Sequence, residues 1–142
     1  MSKRITLNPK AYQAIMGLEH YMENSTVKKA HYELIKIRVS QINHCAYCIN
    51  MHTKDARAGG ETEQRIYLLN AWRETSFYTP EERAILALVE EITAISEHGV
   101  SDAIYEEAER VLGKEYLHDV YMAAVSINAW NRIGVGLQMQ PA

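Results

Sequence analysis

Apolar positions along this chain recur about every three to four residues in nearly every segment, which is the period of an amphipathic helix. Capping residues and prolines begin these segments, and glycines end several of them. Thr79-Pro80-Glu81-Glu82 is the clearest start, because a capping threonine precedes a proline and a glutamate follows three residues later. The pattern predicts seven helices, at about 9–23, 27–39, 45–59, 62–72, 80–99, 101–113 and 114–132, and no strand.

Length and composition are those of an ordinary globular domain. The chain has 142 residues, of which 47% are hydrophobic and 23% are charged. It contains only three prolines, no long Ser/Gly-rich stretch and no repeat of fixed period, so no linker is expected. We therefore predict one all-α domain over residues 1–142, a compact bundle of about six to seven helices.

Charge and hydropathy exclude two classes of partner. Fifteen basic residues against eighteen acidic ones give a net charge of −3, without the basic surplus that attracts nucleic acid. No apolar run approaches the roughly 20 residues that cross a bilayer, and the first ten residues lack the apolar core of a secretory signal. We expect a cytoplasmic protein that binds neither nucleic acid nor membrane.

The two cysteines, Cys45 and Cys48, form a Cys-x-x-Cys pair at the start of the predicted third, central helix. In a reducing compartment such a pair is more often catalytic, redox-sensing or metal-binding than structural. His52 shares their helix face, four residues after Cys48 and seven after Cys45. A helix N-terminus and a nearby imidazole both favour the reactive thiolate. We expect Cys48 to attack and Cys45 to close a disulfide with it.

Glu33 is the candidate partner of His52. It precedes Leu34 and Ile35 in an apolar neighbourhood, where a buried carboxylate is costly without a partner. A break in the polar stretch 40–43 allows the second helix to fold back onto the third, so that Glu33 can face His52. We infer a proton relay from Glu33 through His52 to Cys48, with or without a bridging water.

The run from Glu33 through Asn43-His44-Cys45-Ala46-Tyr47-Cys48 to His52 and Gly59 resembles the core motif of the alkylhydroperoxidase D (AhpD) and carboxymuconolactone decarboxylase superfamily. Ala71-Trp72-Arg73 and the segment 127–132 resemble short members of it, so the resemblance covers about Lys28 to the C-terminus. It implies an all-α fold, oligomers that are commonly trimers or hexamers, and peroxide reduction in which the second cysteine attacks and the first resolves.

The resemblance also assigns roles to single residues. Attack falls on Cys48, resolution on Cys45, and proton relay on His52 and Glu33. Tyr47, between the cysteines, is expected to line the substrate site. His44 stands where many relatives have glycine, and we expect it either to adjust the thiols by its charge or to cap the helix.

Two cofactor classes compete for the same residues and are disfavoured. A zinc site of His44, Cys45, Cys48 and His52 is unfavourable because adjacent helical residues point apart and tetrahedral sites usually draw on separate segments. Covalent haem requires a histidine directly after the second cysteine, where Ile49 stands. We expect neither metal nor organic cofactor.

Three functions remain open at this point. The first is a thiol peroxidase acting on hydrogen peroxide or organic hydroperoxides, re-reduced by an external dithiol such as a lipoyl protein, a thioredoxin-like protein or a small thiol. The second is a redox-sensing or structural oligomeric protein with little turnover. The third is a lactone decarboxylase-type enzyme, which ranks lower because that chemistry has no evident need for two cysteines. Apolar residues on the last helix suggest a homo-oligomer.

Overall fold

The computed structural model describes residues 2–142, and within that range it contains helices and no strand. The helices are α1 (Pro9–Glu23), α2 (Lys29–Ile42), α3 (Ala46–Ala58), α4 (Glu63–Tyr67), a 3-10 helix (Leu69–Glu74), α5 (Pro80–Thr93), α6 (Ile95–His98), α7 (Asp102–Leu112) and α8 (Lys114–Gly136). The predicted all-α fold is confirmed. Among these helices, none has both the length and the apolar composition that crossing a membrane requires.

The predicted capping residues Asn8 and Thr79 begin their helices as expected, whereas α2 begins two residues later than predicted, without a side-chain cap, and continues past Val39 to Ile42. Ala11 N–H donates to Asn8 Oδ1 at 2.8 Å before α1. At the start of α5, Glu82 N–H donates to the Thr79 hydroxyl at 3.1 Å, and Thr79 N–H donates to Glu82 Oε1 at 2.8 Å. This reciprocal pair satisfies two backbone donors that a helix terminus otherwise leaves unpaired.

Two of the seven predicted helices are interrupted. The segment 62–72 divides into α4 and the 3-10 helix, within which Ala71 leaves helical geometry at φ −122° and ψ 30°. The segment 80–99 divides at Ala94, next to Thr93, whose hydroxyl donates to Val89 O at 2.7 Å. Such back-bonding bends helices, and apolar spacing does not reveal it. The last helix continues past Arg132 to Gly136.

Helix α2 lies at the centre of the bundle, in contact with α3, α5 and α8. Its residues Ile35 and Val39 belong to the larger apolar core, together with residues of α5, α7 and α8. Leu34 and Ile37 belong to a second core, with Trp72 of the 3-10 helix. Burial on both sides fixes α2 in place, and α3 folds back against it.

Candidate active site

Cys45 and Cys48 form a disulfide at the start of α3. Cys45 is the N-cap residue, and Cys48 N–H donates to its Sγ at 3.2 Å. Cys45 N–H donates to Ser40 O of α2 at 2.9 Å. Both cysteines are buried. The predicted position of the pair, at the N-terminus of a central helix, is confirmed.

His44 forms the turn between α2 and α3 in the left-handed backbone conformation, at φ 58°. This conformation is sterically free for glycine and costs other residues about 1 kcal/mol or more. Glycine at this position, as in the motif that the chain resembles, would therefore relieve strain. The His44 side chain is exposed and lies outside the cavity described below.

The contact between α2 and α3 brings Glu33 to His52. Glu33 Oε2 lies 3.9 Å from His52 Nδ1, which is too far for a direct hydrogen bond. Both atoms are buried and have no hydrogen-bond partner within the described chain. Because buried polar atoms are normally satisfied, this separation is suited to one bridging water. The geometry thus places the two predicted relay residues side by side.

Lys36, which the sequence analysis did not identify, completes this buried cluster. Its Nζ lies 2.9 Å from Glu33 Oε1 and 4.2 Å from the centre of the Tyr32 ring. The ion pair compensates the buried charge on Glu33. Burial, and then the charge of Lys36, lower the pKa of His52 to about 3. The imidazole is therefore neutral near pH 7, and it holds an added proton only weakly. Lys36 lies three residues after Glu33, and this spacing is the one sequence signal that could have identified it.

A cavity of about 770 Å³ opens beside the disulfide, and Cys48, His52 and Tyr47 are among its lining residues. Much of its wall is apolar and comes from distant parts of the chain, including Leu7, Tyr12, Met16, Trp130, Ile133 and Leu137. This volume is typical of sites for small organic ligands. The position of Tyr47 at the site was predictable from the sequence, whereas the contribution of the N-terminal segment and the end of α8 was not, because their proximity depends on tertiary contacts.

One carboxylate is fixed in the cavity wall. Glu19 Oε1 accepts hydrogen bonds from Tyr32 Oη at 3.0 Å, from Ser126 Oγ at 3.1 Å and from Trp130 Nε1 at 3.0 Å. The three donors come from α2 and α8, whereas Glu19 belongs to α1. They hold the carboxylate in one orientation and join three helices around the cavity.

Helix α8 closes the site over the two sulfur atoms. Gly134, which has no side chain, faces the disulfide. Asn131 connects α8 to the end of α2 and to the turn that precedes α3. Asn131 Nδ2 donates to Ser40 Oγ at 2.9 Å, and Asn43 Nδ2 donates to Asn131 Oδ1 at 3.0 Å. This network fixes the backbone of α8 beside the cysteine pair.

Glu33 and His52, together with the nearby Asp55, are residues of the types that bind metal ions. The ligand atoms of Glu33, His52 and Asp55 all lie within 4.8 Å of one another. This set differs from the zinc ligands weighed from the sequence, since it uses no cysteine.

Comparison with known proteins identifies the family. The model of the carboxymuconolactone decarboxylase family matches residues 9–91, more than half of the chain. The chain belongs to the carboxymuconolactone decarboxylase family. The match contains Glu33, both cysteines and His52, and the resemblance to the superfamily of AhpD and carboxymuconolactone decarboxylase is confirmed.

Relatives of this family member extend over the whole chain. YdfG of Bacillus subtilis strain 168, an uncharacterized protein, is 45% identical over 140 residues, covering 96% of this chain and 95% of the relative. A crystal structure of a protein of unknown function from Agrobacterium tumefaciens, whose name associates it with antioxidant defence and AhpD, has a TM-score of 0.95. It is 39% identical, and the match covers 99% of each chain.

The same fold occurs in an enzyme of more distant sequence. The debrominase Bmp8, solved with 2,3,4-tribromopyrrole, has a TM-score of 0.82 and is 18% identical, with 95% of this chain and 72% of Bmp8 covered. At this identity the likeness shows the fold alone. Activity must therefore be argued from the residues at the site.

Proposed function

We propose that this protein is a thiol-dependent peroxidase that reduces organic hydroperoxides, and hydrogen peroxide less efficiently, through a cycle of the Cys45–Cys48 disulfide. The observation that supports this function best is the disulfide itself, which lies at a helix N-terminus and beside a cavity that also contains a buried neutral histidine. Peroxide reduction needs a thiolate, a second thiol and a proton carrier, and this site contains all three types of group.

The proposed reaction balances within the site and its substrates. The Cys48 thiol loses its proton to His52, and the thiolate attacks the terminal peroxide oxygen. The O–O bond breaks, the departing alkoxide takes the proton from His52, and an alcohol leaves. Cys48 is then a sulfenic acid. Cys45 attacks its sulfur, the S–O bond breaks, and the hydroxyl leaves as water with the proton of Cys45. The pair has lost two electrons, and the peroxide has gained them.

Glu33 and His52 divide the proton transfer between them. His52 Nδ1 faces Glu33, which leaves Nε2 as the ring nitrogen available to Cys48, one helical turn away. A carboxylate on Nδ1, directly or through water, favours the tautomer with a free lone pair on Nε2, so that the proton of Cys48 can pass through His52 to the departing alkoxide. Lys36 pairs with Glu33, so the buried carboxylate has a partner of opposite charge.

The cavity favours organic substrates over hydrogen peroxide. An apolar wall gains free energy by burying an alkyl or aryl group, at about 25 cal/mol per Å² of apolar surface. Hydrogen peroxide offers no such surface. The bound organic group would also position its peroxide oxygen next to Cys48, which raises the effective concentration of the reacting atoms.

Completion of the cycle needs an external dithiol, and we propose a lipoyl protein, a thioredoxin-like protein or a small dithiol as the donor. The disulfide is buried, so the donor must reach it through the cavity. A slender dithiol arm fits this geometry better than a flat protein surface. We also propose homo-oligomers, because α8 leaves Val125 and Val135 exposed at 37% and 45%.

Steady-state peroxide consumption tests the proposal. Wild-type protein with excess dihydrolipoamide should consume many equivalents of cumene hydroperoxide per chain. Cys48→Ser should lower the rate at least 100-fold, because no attacking sulfur remains. Oxidation of one equivalent per chain without turnover would contradict the peroxidase and support the redox-sensing alternative. Decarboxylation of a lactone acid by the Cys48→Ser variant would support the third candidate instead.

A further inference from the structure

Two carboxylates converge on Nδ1 of His52. Glu33 Oε2 and Asp55 Oδ2 each lie 3.9 Å from this atom. A tetrahedral zinc site, with bonds of about 2.1 Å, needs ligand atoms about 3.4 Å apart. Small side-chain movements therefore suffice to form it, and the Asp55 side chain, 54% exposed, is free to make them.

Two of the three atoms are buried without a partner, which distinguishes this group from an ordinary acidic surface cluster. Glu33 is 7% exposed, and neither its Oε2 nor His52 Nδ1 has a hydrogen-bond partner within residues 2–142. An unsatisfied buried polar atom costs about 1–3 kcal/mol. A cation would satisfy both atoms at once, and the exposed Asp55 gives it a path from solvent.

We propose that Glu33, His52 and Asp55 bind a divalent cation of the Zn²⁺ class, with solvent completing its coordination. The ligand set of one imidazole and two carboxylates suits zinc better than magnesium or calcium, which prefer oxygen ligands alone. Lys36 opposes the cation, because its ammonium group lies 2.9 Å from the other oxygen of Glu33. Binding is therefore weaker than at a structural zinc site and is reversible by chelators.

Metal binding at this position inhibits the enzyme, a consequence that rests on the proposed function. A metal ion on Nδ1 leaves the single proton of the neutral ring on Nε2. His52 then has no lone pair with which to accept the proton of Cys48. The site thus couples divalent metal to thiol reactivity without any metal–sulfur bond.

The test uses protein in which both cysteines are replaced by serine, so that thiolates cannot bind the metal. Zinc chloride is titrated into this protein by calorimetry, and bound zinc is counted by mass spectrometry after dialysis. We expect one zinc per chain. Asp55→Asn in the same background should weaken binding at least tenfold. Glu106→Gln, an exposed carboxylate on α7, is the matched control and should leave the affinity unchanged.

For a second variant we expect the opposite change, tighter zinc binding, which misfolding would not produce. Lys36→Met removes the competing ammonium group and should tighten zinc binding at least tenfold. Equal affinities for Asp55→Asn and Glu106→Gln, or the absence of bound zinc, would overturn the proposal. So would zinc binding that is no tighter in folded Lys36→Met.

Activity measurements distinguish failure of the metal site from failure of the proposed peroxidase function. In protein with both cysteines present, zinc should slow peroxide consumption, and Asp55→Asn should need at least tenfold more zinc for the same fractional inhibition relative to its own metal-free rate. Zinc binding without peroxide turnover would leave the site standing and remove the peroxidase. Peroxide turnover without zinc binding to the cysteine-free protein would support the peroxidase and overturn the metal site.

Discussion

Gly134 lies so close to Cys45 that a Cβ built on the glycine would come within 2.7 Å of Cys45 Sγ, and within 3.3 Å of Cys48 Sγ. The first distance is shorter than any ordinary contact of a Cβ atom. Helix α8 therefore approaches the disulfide with its backbone, and the absence of a side chain at residue 134 is a requirement of the site.

Gly134→Ala should destabilise the oxidised protein by about 1–3 kcal/mol, because the sulfur atoms or α8 must move to admit the methyl group. Urea denaturation of the oxidised form measures this loss. The control is Gly136→Ala in the same helix, where an added Cβ meets no atom within 4 Å. Equal stability of the two variants would show that α8 moves to admit the methyl group without a loss in the free energy of unfolding.

Lys36→Met should raise the pKa of His52, because the positive charge that disfavours the imidazolium is removed. Burial, the larger cause, remains and should keep the pKa below its ordinary value. Titration of the His52 ring by NMR measures the shift. Lys29→Met, an exposed position on α2, serves as the control and should leave the titration unchanged. A lower pKa in Lys36→Met would contradict the assigned electrostatics.

His52 should make the folded state less stable in acid. Its pKa is about 3 when folded and about 6.5 when unfolded, so between these values the unfolded chain binds the extra proton. Ionisation of His52 therefore leaves the free energy of unfolding unchanged above pH 6.5. As the pH falls from 6.5 towards 3, the free energy of unfolding decreases by up to about 1.4 kcal/mol per pH unit.

Chemical denaturation at a series of pH values, for wild type and His52→Asn, isolates this effect. Other buried groups titrate in both proteins, so the difference between the two curves belongs to His52. We expect the variant to lose less stability than wild type between pH 6.5 and pH 4. Parallel curves would mean that His52 ionises freely in the folded protein.

The cavity wall should control substrate preference. Leu137→Trp fills part of the cavity and should lower kcat/KM for cumene hydroperoxide at least tenfold relative to kcat/KM for hydrogen peroxide. Ile95→Trp introduces the same ring at an exposed residue of α6 that does not line the cavity and should leave the ratio unchanged. A ratio that is unaffected by Leu137→Trp would place the substrate elsewhere.

Features of local origin were predictable from the sequence. Helix starts at Asn8 and Thr79 depend on a few adjacent residues, and the all-α fold follows from periodicity. The proximity of Glu33 to His52 could be inferred because the intervening turn is short. The breaks at Ala71 and Ala94 were missed, because apolar spacing continues across them.

Features of tertiary origin were not predictable. Lys36 carries a charge that sequence reasoning assigns to solvent, and its burial depends on Glu33 and Tyr32 together. Gly134 is distant in sequence from the cysteines that it contacts, and an isolated glycine in a helix gives no partner. The residues that line the cavity near Leu7 and Leu137 face each other only after the bundle has assembled.

The cysteine pair with its polar neighbours and most of the apolar cavity wall come from different parts of the chain. Residues 33–52 supply the cysteines, the histidine and the carboxylate, whereas Leu7, Tyr12, Trp130 and Leu137 belong to the wall. Mutations can therefore change which molecule arrives at the sulfur without altering how the sulfur reacts. A protein organised in this way can acquire new substrates through mutations in the cavity wall while the chemistry at its cysteines stays the same.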